Sequence, residues 1–205
     1  MDRRVSIIDY GMGNLQSVAN ACTALGVKAT IINTPDLLQE ADRIILPGVG
    51  AFGDGMNNLE KRGWVEALES EVRINKKPFL GLCLGMQLLA TTSSEYGCHA
   101  GFNWIPGTVE RIPNTTVRVP HIGWNDVCFS KKDGLFAGLG DSQVFYFVHS
   151  YMFRPSDPSV ISGTCSYGID FAASIEMDNI YATQFHPEKS HKIGLAVLKN
   201  FLSKA

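Results

Sequence analysis

The 205-residue sequence has little that would tie it to a membrane, a disulfide framework or a nucleic acid. No window approaches the ~18 apolar residues of a membrane-spanning helix. The apolar run near the N-terminus, Val5 to Ile8, is interrupted by Ser6 and is too short for the core of a signal peptide. The five cysteines (Cys22, Cys83, Cys98, Cys128 and Cys165) are odd in number and no two form a CxxC pair. That argues against a disulfide framework and against a cysteine zinc site. Cationic charge is not in excess: Lys plus Arg is 18, Asp plus Glu is 20, and the net charge is −2. A nucleic-acid or anionic-membrane binder would usually show a basic surplus. Repeats, low-complexity tracts and linker-like segments are missing too.

What is present is an ordinary globular composition, 45% apolar and 19% charged. A chain of this length buries well over half of its unfolded surface and needs no disulfide to fold. The expectation is one domain over residues 1–205, reduced, soluble and cytoplasmic, with no cofactor and no metal.

The first half alternates strand and helix patterns. Val5–Asp9 reads as a strand ended by the turn Gly11-Met12-Gly13. Asn14 is placed to cap a helix running to Leu25, with Gly26 where a helix stops. Lys28–Ile32 and Arg43–Leu46 read as strands, and Pro47 to Gly55 as a loop. Trp64–Asn75 reads as a helix, Phe79–Leu82 as a strand, and Leu84–Ala90 as a buried helix. Such alternation predicts an α/β fold, a mostly parallel central sheet between helix layers. The second half differs. Gly107–Ile112, Val117–Pro120, Val127–Phe129 and Val144–His149 read as short strands. Phe171–Glu176 and Ile180–Phe185 form a hairpin across Met177-Asp178-Asn179. An antiparallel extension is therefore expected, then a C-terminal helix from near His191 with Ile193, Val197, Leu198, Phe201 and Leu202 on one stripe.

The strongest local signal is Gly81-Leu82-Cys83-Leu84-Gly85, set between a strand and a helix. It has the glycine–x–nucleophile–x–glycine shape of a nucleophile elbow. The sharp turn strains the central residue, and the glycines leave room for neighbouring backbone. The sulfur is expected at the sheet's carboxyl edge and at a helix start, where the dipole favours thiolate. The amide of Leu84 then faces a forming oxyanion. The competing reading, a small buried hydrophobe, is kept for the other four cysteines.

A cysteine nucleophile needs a base held in one tautomer by a third group. His186 ends a strand pattern and is followed by Pro187-Glu188. Residues two apart on an extended segment share a side, so Glu188 can accept from the His186 ring. Two other readings stand beside this triad: a solvated loop, or a zinc site built from His186, Glu188 and His191. His99 and His121 are expected in loops. Gly48-Val49-Gly50 follows a strand and could aim amides at phosphate or at an oxyanion. It lacks the ending of a P-loop, and Gln16 occupies the third glycine position of a dinucleotide fingerprint after Gly11 and Gly13.

These residues together resemble the class I, triad-type glutamine amidotransferases. The matching segments are IIDYGMGN (7–14), LPGVGAFGDGM (46–56), GLCLGMQLL (81–89), HIGWN (121–125), YFVHSY (146–151) and QFHPEKS (184–190). Within that family they are most similar to the glutaminase subunits of imidazole glycerol phosphate synthases. The resemblance implies that Cys83 attacks the glutamine side-chain amide, with His186 as base and Glu188 as its orienter. It implies an oxyanion hole from Gly48, Val49, Gly50 and the Leu84 amide. Gln87, Glu95, His149, Ser150 and Tyr151 are implied to line the glutamine pocket. Once these motifs are placed, no residues remain for an ammonia acceptor. The resemblance therefore implies a partner, a (β/α)₈ cyclase subunit in a heterodimer fed through an ammonia channel, with Trp124, Asn125 and Lys189 at the interface. A glutaminase serving another acceptor enzyme, a non-catalytic domain that kept the fold, and the metal hydrolase remain as alternatives.

Overall fold

A computed structural model describes residues 4–203. The chain runs β1 (Val5–Ile8), α1 (Leu15–Ala24), β2 (Ala29–Ile32), β3 (Arg43–Gly48), α2 (Phe52–Lys61), α3 (Trp64–Leu68), β4 (Phe79–Cys83) and α4 (Leu84–Gln87). There follow β5 (Thr92–Ser93), β6 (His99–Ala100), β7 (Gly107–Arg111), β8 (His121–Phe129), β9 (Ser142–His149) and β10 (Tyr151–Pro155). Strands β11 (Ile161–Ser166), β12 (Asp170–Met177) and β13 (Ile180–Thr183) lead to α5 (His191–Ser203). Among the described residues no helix is long and apolar enough to cross a membrane.

Nine strands form one sheet in the order β2-β1-β3-β4-β13-β12-β11-β8-β9. Neighbours from β2 to β13 run parallel. Neighbours from β13 to β9 run antiparallel. This is the expected α/β sheet with its antiparallel extension. Every residue of β1, β3 and β4 is buried, as a parallel sheet covered on both faces requires. Val5, Ile7, Ile45 and Leu80 pack with α1 and α5 on one face. Ile8, Ile44, Leu46 and Phe79 pack with Phe52, Trp64 and Trp104 on the other. The Asn14 side chain caps α1 by accepting the Ser17 N–H at 3.3 Å. The hairpin β12–β13 turns at Asp178-Asn179, as expected.

Several elements depart from the sequence reading. A second sheet, β10-β7-β5-β6, was not foreseen, because β5 and β6 are two residues each and carry no periodicity. Residues 117–120 are not a strand, and β8 begins at His121 rather than Val127. The segment after Gly50 is not all loop: α2 starts at Phe52, its glycines serving close packing. A Cβ on Gly53 would lie 2.7 Å from the His99 ring. The helix from Trp64 is α-helical only to Leu68 and then widens into a π-helical stretch, Glu69–Ile74.

Helix α4 stops at Gln87 instead of Ala90. The carbonyls of Leu88, Leu89 and Ala90 are taken by the N–H groups of Phe102, Trp104 and Asn103, at 2.8 to 3.1 Å. The chain there serves the following segment instead of continuing the helix. With four residues, α4 supplies one turn of dipole at most.

Both elbow glycines are demanded by contact. A Cβ on Gly81 would lie 2.5 Å from Gly85 O, and one on Gly85 only 2.0 Å from Leu46 O. These two positions let α4 press onto β3 and β4. Gly26 differs: it has φ +76° and no described atom within 4 Å of an added Cβ. Gly85→Ala is therefore expected to cost about 3 kcal/mol or more. Gly26→Ala should cost about 1 kcal/mol from backbone strain alone. Urea unfolding of the two variants checks this, and equal costs would refute the packing account.

Candidate active site

Cys83 sits at the junction of β4 and α4 with φ +53° and ψ −103°, a backbone region that non-glycine residues rarely occupy. The parallel register places Gly48 beside Cys83, Leu82 beside Thr183, and so brings the carboxyl ends of β3, β4 and β13 together. Cys83 is 7% exposed. Gln184 Nε2 donates to Cys83 Sγ at 3.6 Å, and Val148 O lies 4.0 Å from the same sulfur.

His186 follows β13 and is held by a backbone bond, its N–H donating to Tyr146 O of β9 at 3.0 Å. Its Nδ1 meets Glu188 Oε1 at 2.8 Å, both side chains being buried. Nδ1–H therefore donates to the carboxylate, which leaves Nε2 as the nitrogen that exchanges a proton with Cys83. Nε2 has no hydrogen-bond partner among the described residues, nor has Glu188 Oε2. Burial opposes protonation of His186, but Cys83 and Glu188 outweigh it and raise the imidazole well above its ordinary value. A base of that kind takes a thiol proton and holds it until a leaving group needs it.

His191 does not join this pair. It stacks on Trp124, with ring centroids 4.9 Å apart and planes 9° from parallel. Among the described residues no three His, Cys, Asp or Glu side chains gather into a metal site. The zinc reading therefore loses its third ligand, and the exposed-loop reading of His186 and Glu188 fails on burial.

The loop Gly48-Val49-Gly50 lies against Leu84: a Cβ on Gly48 would be 2.8 Å from Leu84 Cβ. Gly50 has φ +104° and Val49 is exposed. On the other side, Gln87 Nε2 donates to Tyr151 O at 2.9 Å and to Gln184 Oε1 at 3.0 Å. Glu95 Oε2 accepts the Phe52 N–H at the start of α2, at 2.8 Å. Burial raises the Glu95 carboxyl above its usual range, with the Phe52 N–H pulling the other way. Ser150 and Tyr151 lie where β9 ends and β10 begins. Ile122, Trp124 and Val144 form an apolar surface, 60%, 46% and 43% exposed, and Lys189 Nζ lies 5.9 Å over the Tyr146 ring nearby. Asn125 faces the opposite side of β8 from Trp124, as strand neighbours do.

Asn125 instead lies at the outer end of a chain of polar groups that runs inward from the surface and that the sequence did not disclose. His149 Nδ1 lies 2.8 Å from Tyr151 O, so it carries the proton. His149 Nε2 must then accept from His121 Nδ1 at 3.0 Å. His121 Nε2 in turn accepts from Asn125 Nδ2 at 3.4 Å, and Asn125 also donates to Ser166 O. Far from lying in a loop, His121 opens β8, 2% exposed, and stacks on Tyr167 with centroids 3.9 Å apart. Its pairing with His149 follows from the β8–β9 register. Gln184, inside the QFHPEKS segment, was likewise assigned no role.

Burial pushes His121 down to about 4. It pushes His149 down to about 3, helped by charge at His121 and His186. In the unfolded chain both imidazoles protonate near pH ~6.5. Between that pH and their folded values the unfolded state binds more protons, so acid erodes stability. The loss is up to about 1.4 kcal/mol per pH unit for each histidine. His186 carries the opposite sign, but its window lies above pH ~6.5. Denaturant midpoints should fall between pH 7 and pH 5, and fall less in His121→Phe. Identical losses in the two proteins would refute the assignment.

The model of the family "Glutamine amidotransferase class-I" matches residues 6–205. The imidazole glycerol phosphate synthase subunit HisH of Geobacter sulfurreducens is 49% identical over 204 residues, covering 97% of each chain. The HisH subunit of Aquifex aeolicus is 47% identical, covering 98% of this chain and 97% of its own. Among solved structures, PurLQS from Thermotoga maritima superposes with a TM-score of 0.78 at 17% identity, covering 98% of both chains, and shares the fold. The chain belongs to the class-I glutamine amidotransferase family, in the branch formed by the HisH subunits of imidazole glycerol phosphate synthase.

Proposed function

We propose that this chain is the glutaminase subunit of an imidazole glycerol phosphate synthase of histidine biosynthesis, a single amidotransferase domain working in the cytoplasm. The observation that carries the chemistry is the strained Cys83 elbow beside a buried His186 whose Nδ1 is fixed by Glu188 at 2.8 Å. Cys83 Sγ, its proton taken by His186, attacks the side-chain amide carbon of glutamine. The C–N bond breaks as His186 returns the proton to the departing ammonia. A γ-glutamyl thioester remains on Cys83, and water activated by His186 cleaves it to glutamate and free thiol. The amides of Leu84 and of the Gly48-Val49-Gly50 loop stabilise the oxyanion. Gln87, Glu95, Ser150 and Tyr151 seat the amino acid. His149 supports that seat through the Tyr151 carbonyl instead of touching it.

Ammonia protonates in water and is then no nucleophile, so it must pass to an acceptor without release. The acceptor is a (β/α)₈ cyclase bound as a heterodimer over the Ile122, Trp124 and Val144 surface, with Lys189 at its rim. The ribonucleotide it consumes is an aminoimidazole carboxamide carrying a phosphoribulosyl group. Its products are imidazole glycerol phosphate and aminoimidazole carboxamide ribotide. Asn125, turned inward, steadies β8 beneath that surface through its bonds to His121 and Ser166.

Cys83→Ala should abolish glutamine-dependent synthesis by the complex while synthesis from ammonium salts survives. Loss of both activities would make Cys83 structural. The loop gives a second expectation. Gly48 and Gly50 flank Val49 and lower the barrier to turning its peptide unit. Turned one way the loop offers a carbonyl to the oxyanion, turned the other an N–H. One such donor is worth about 3 kcal/mol, roughly 100-fold in rate. Glutamate formation should rise at least that much when cyclase and ribonucleotide are added. An isolated chain already at full speed would sink the switch.

A further inference from the structure

Tyr10 stands just beyond the end of β1, next to β3 in the sheet, and is fully buried in the core. Its hydroxyl lies 2.4 Å from the point a Cβ on Gly48 would occupy. That same point is 2.8 Å from Leu84 Cβ, so the hydroxyl reaches the oxyanion loop from beneath. Charge at Cys83 also acts on it: burial first, and then the nearby sulfur, raises the phenol above its ordinary value. Yet Tyr10 Oη has no hydrogen-bond partner among the described residues. Buried polar groups are paired in the great majority of cases, and an exception asks for a reason.

The reason lies in what happens when the loop turns. The N–H and C=O of one peptide unit point in opposite directions. When the Val49 N–H swings toward the oxyanion, the Gly48 carbonyl of the same unit swings away from it, into the protein. A carbonyl driven inward needs a donor. Tyr10 Oη borders Gly48 and has its O–H uncommitted. Glycine at position 48 is what allows the hydroxyl to approach so closely, since any side chain there would displace it.

We propose that Tyr10 is a positioning residue of the oxyanion hole, its hydroxyl donating to the Gly48 carbonyl in the turned loop and thereby holding the Val49 N–H toward the thioester-forming carbon's oxygen. Tyr10 does not touch substrate, being sealed in the core. It biases which of two loop orientations persists. The inference rests on the loop switch proposed above.

Tyr10→Phe removes one oxygen and keeps the ring. The hydroxyl makes no bond in the resting loop, so the isolated variant should unfold at the same denaturant concentration or a higher one. Binding to the cyclase and synthesis from ammonium salts should be unchanged. In the complex with ribonucleotide, kcat for glutamine hydrolysis should fall about 10-fold or more, with KM for glutamine held within about twofold. The unmodified chain is measured alongside. If it is stimulated by the partner and Tyr10→Phe is stimulated equally, the role of Tyr10 is overturned and the switch stands. If the unmodified chain shows no stimulation, the switch itself falls and takes the proposal with it. A lowered unfolding midpoint for Tyr10→Phe would show the hydroxyl bonded in the resting fold, and would also overturn the proposal.

Discussion

Everything at the site depends on one backbone conformation, that of Cys83. A φ of +53° on a side-chain-bearing residue is sustained only when the surroundings over-determine it. Here α4 is pressed onto β3 and β4 through Gly81 and Gly85, and neither position has room for a methyl group. The sheet register then does the assembling. Gly48, Cys83 and the segment after Thr183 come from distant parts of the chain. They meet because β3, β4 and β13 are parallel neighbours that end at the same edge. The β9 strand closes the arrangement by accepting the His186 N–H on its Tyr146 carbonyl.

The polar groups around this edge fall into two kinds. Along Tyr151, His149, His121, Asn125 and Ser166 each donor and acceptor is matched, and the direction of each bond is forced by the next. Such a chain is rigid, and it anchors the start of β10 at Tyr151. Around the sulfur the matching is incomplete: Tyr10 Oη, His186 Nε2 and Glu188 Oε2 are buried and without partners. Trp64 Nε1 is likewise unpartnered in the core, but three such atoms gathered at one sheet edge mark that edge as a place for chemistry. The contrast separates the part that must stay still from the part that must exchange bonds.

Much of this was legible in the sequence because it was written in local signals. The elbow needs five adjacent residues, the His186–Glu188 pair three, and the Asn14 cap four. Each carries its geometry within one turn or strand. What was not legible depends on contacts between distant segments. The glycines of α2 look like a loop until His99 is seen against Gly53. Strands β5 and β6 are too short for a period, and α4 is cut short by residues 102–104 taking its carbonyls. His121 reads as a loop residue because its partner His149 lies across the β8–β9 pair, and register is a property of the pair. Strand alternation also turns Asn125 away from Trp124, with which the family resemblance grouped it at the interface.

The stacking of Trp124 on His191 has an optical consequence. Of the chain's three tryptophans, Trp64 and Trp104 are buried and Trp124 is 46% exposed. Two indoles therefore emit from an apolar interior, and the red side of the fluorescence spectrum belongs to the third. Anything that covers the Ile122, Trp124 and Val144 surface moves that one emitter from water into a contact. The protein thus carries an intrinsic dye on its apolar face, readable without any label.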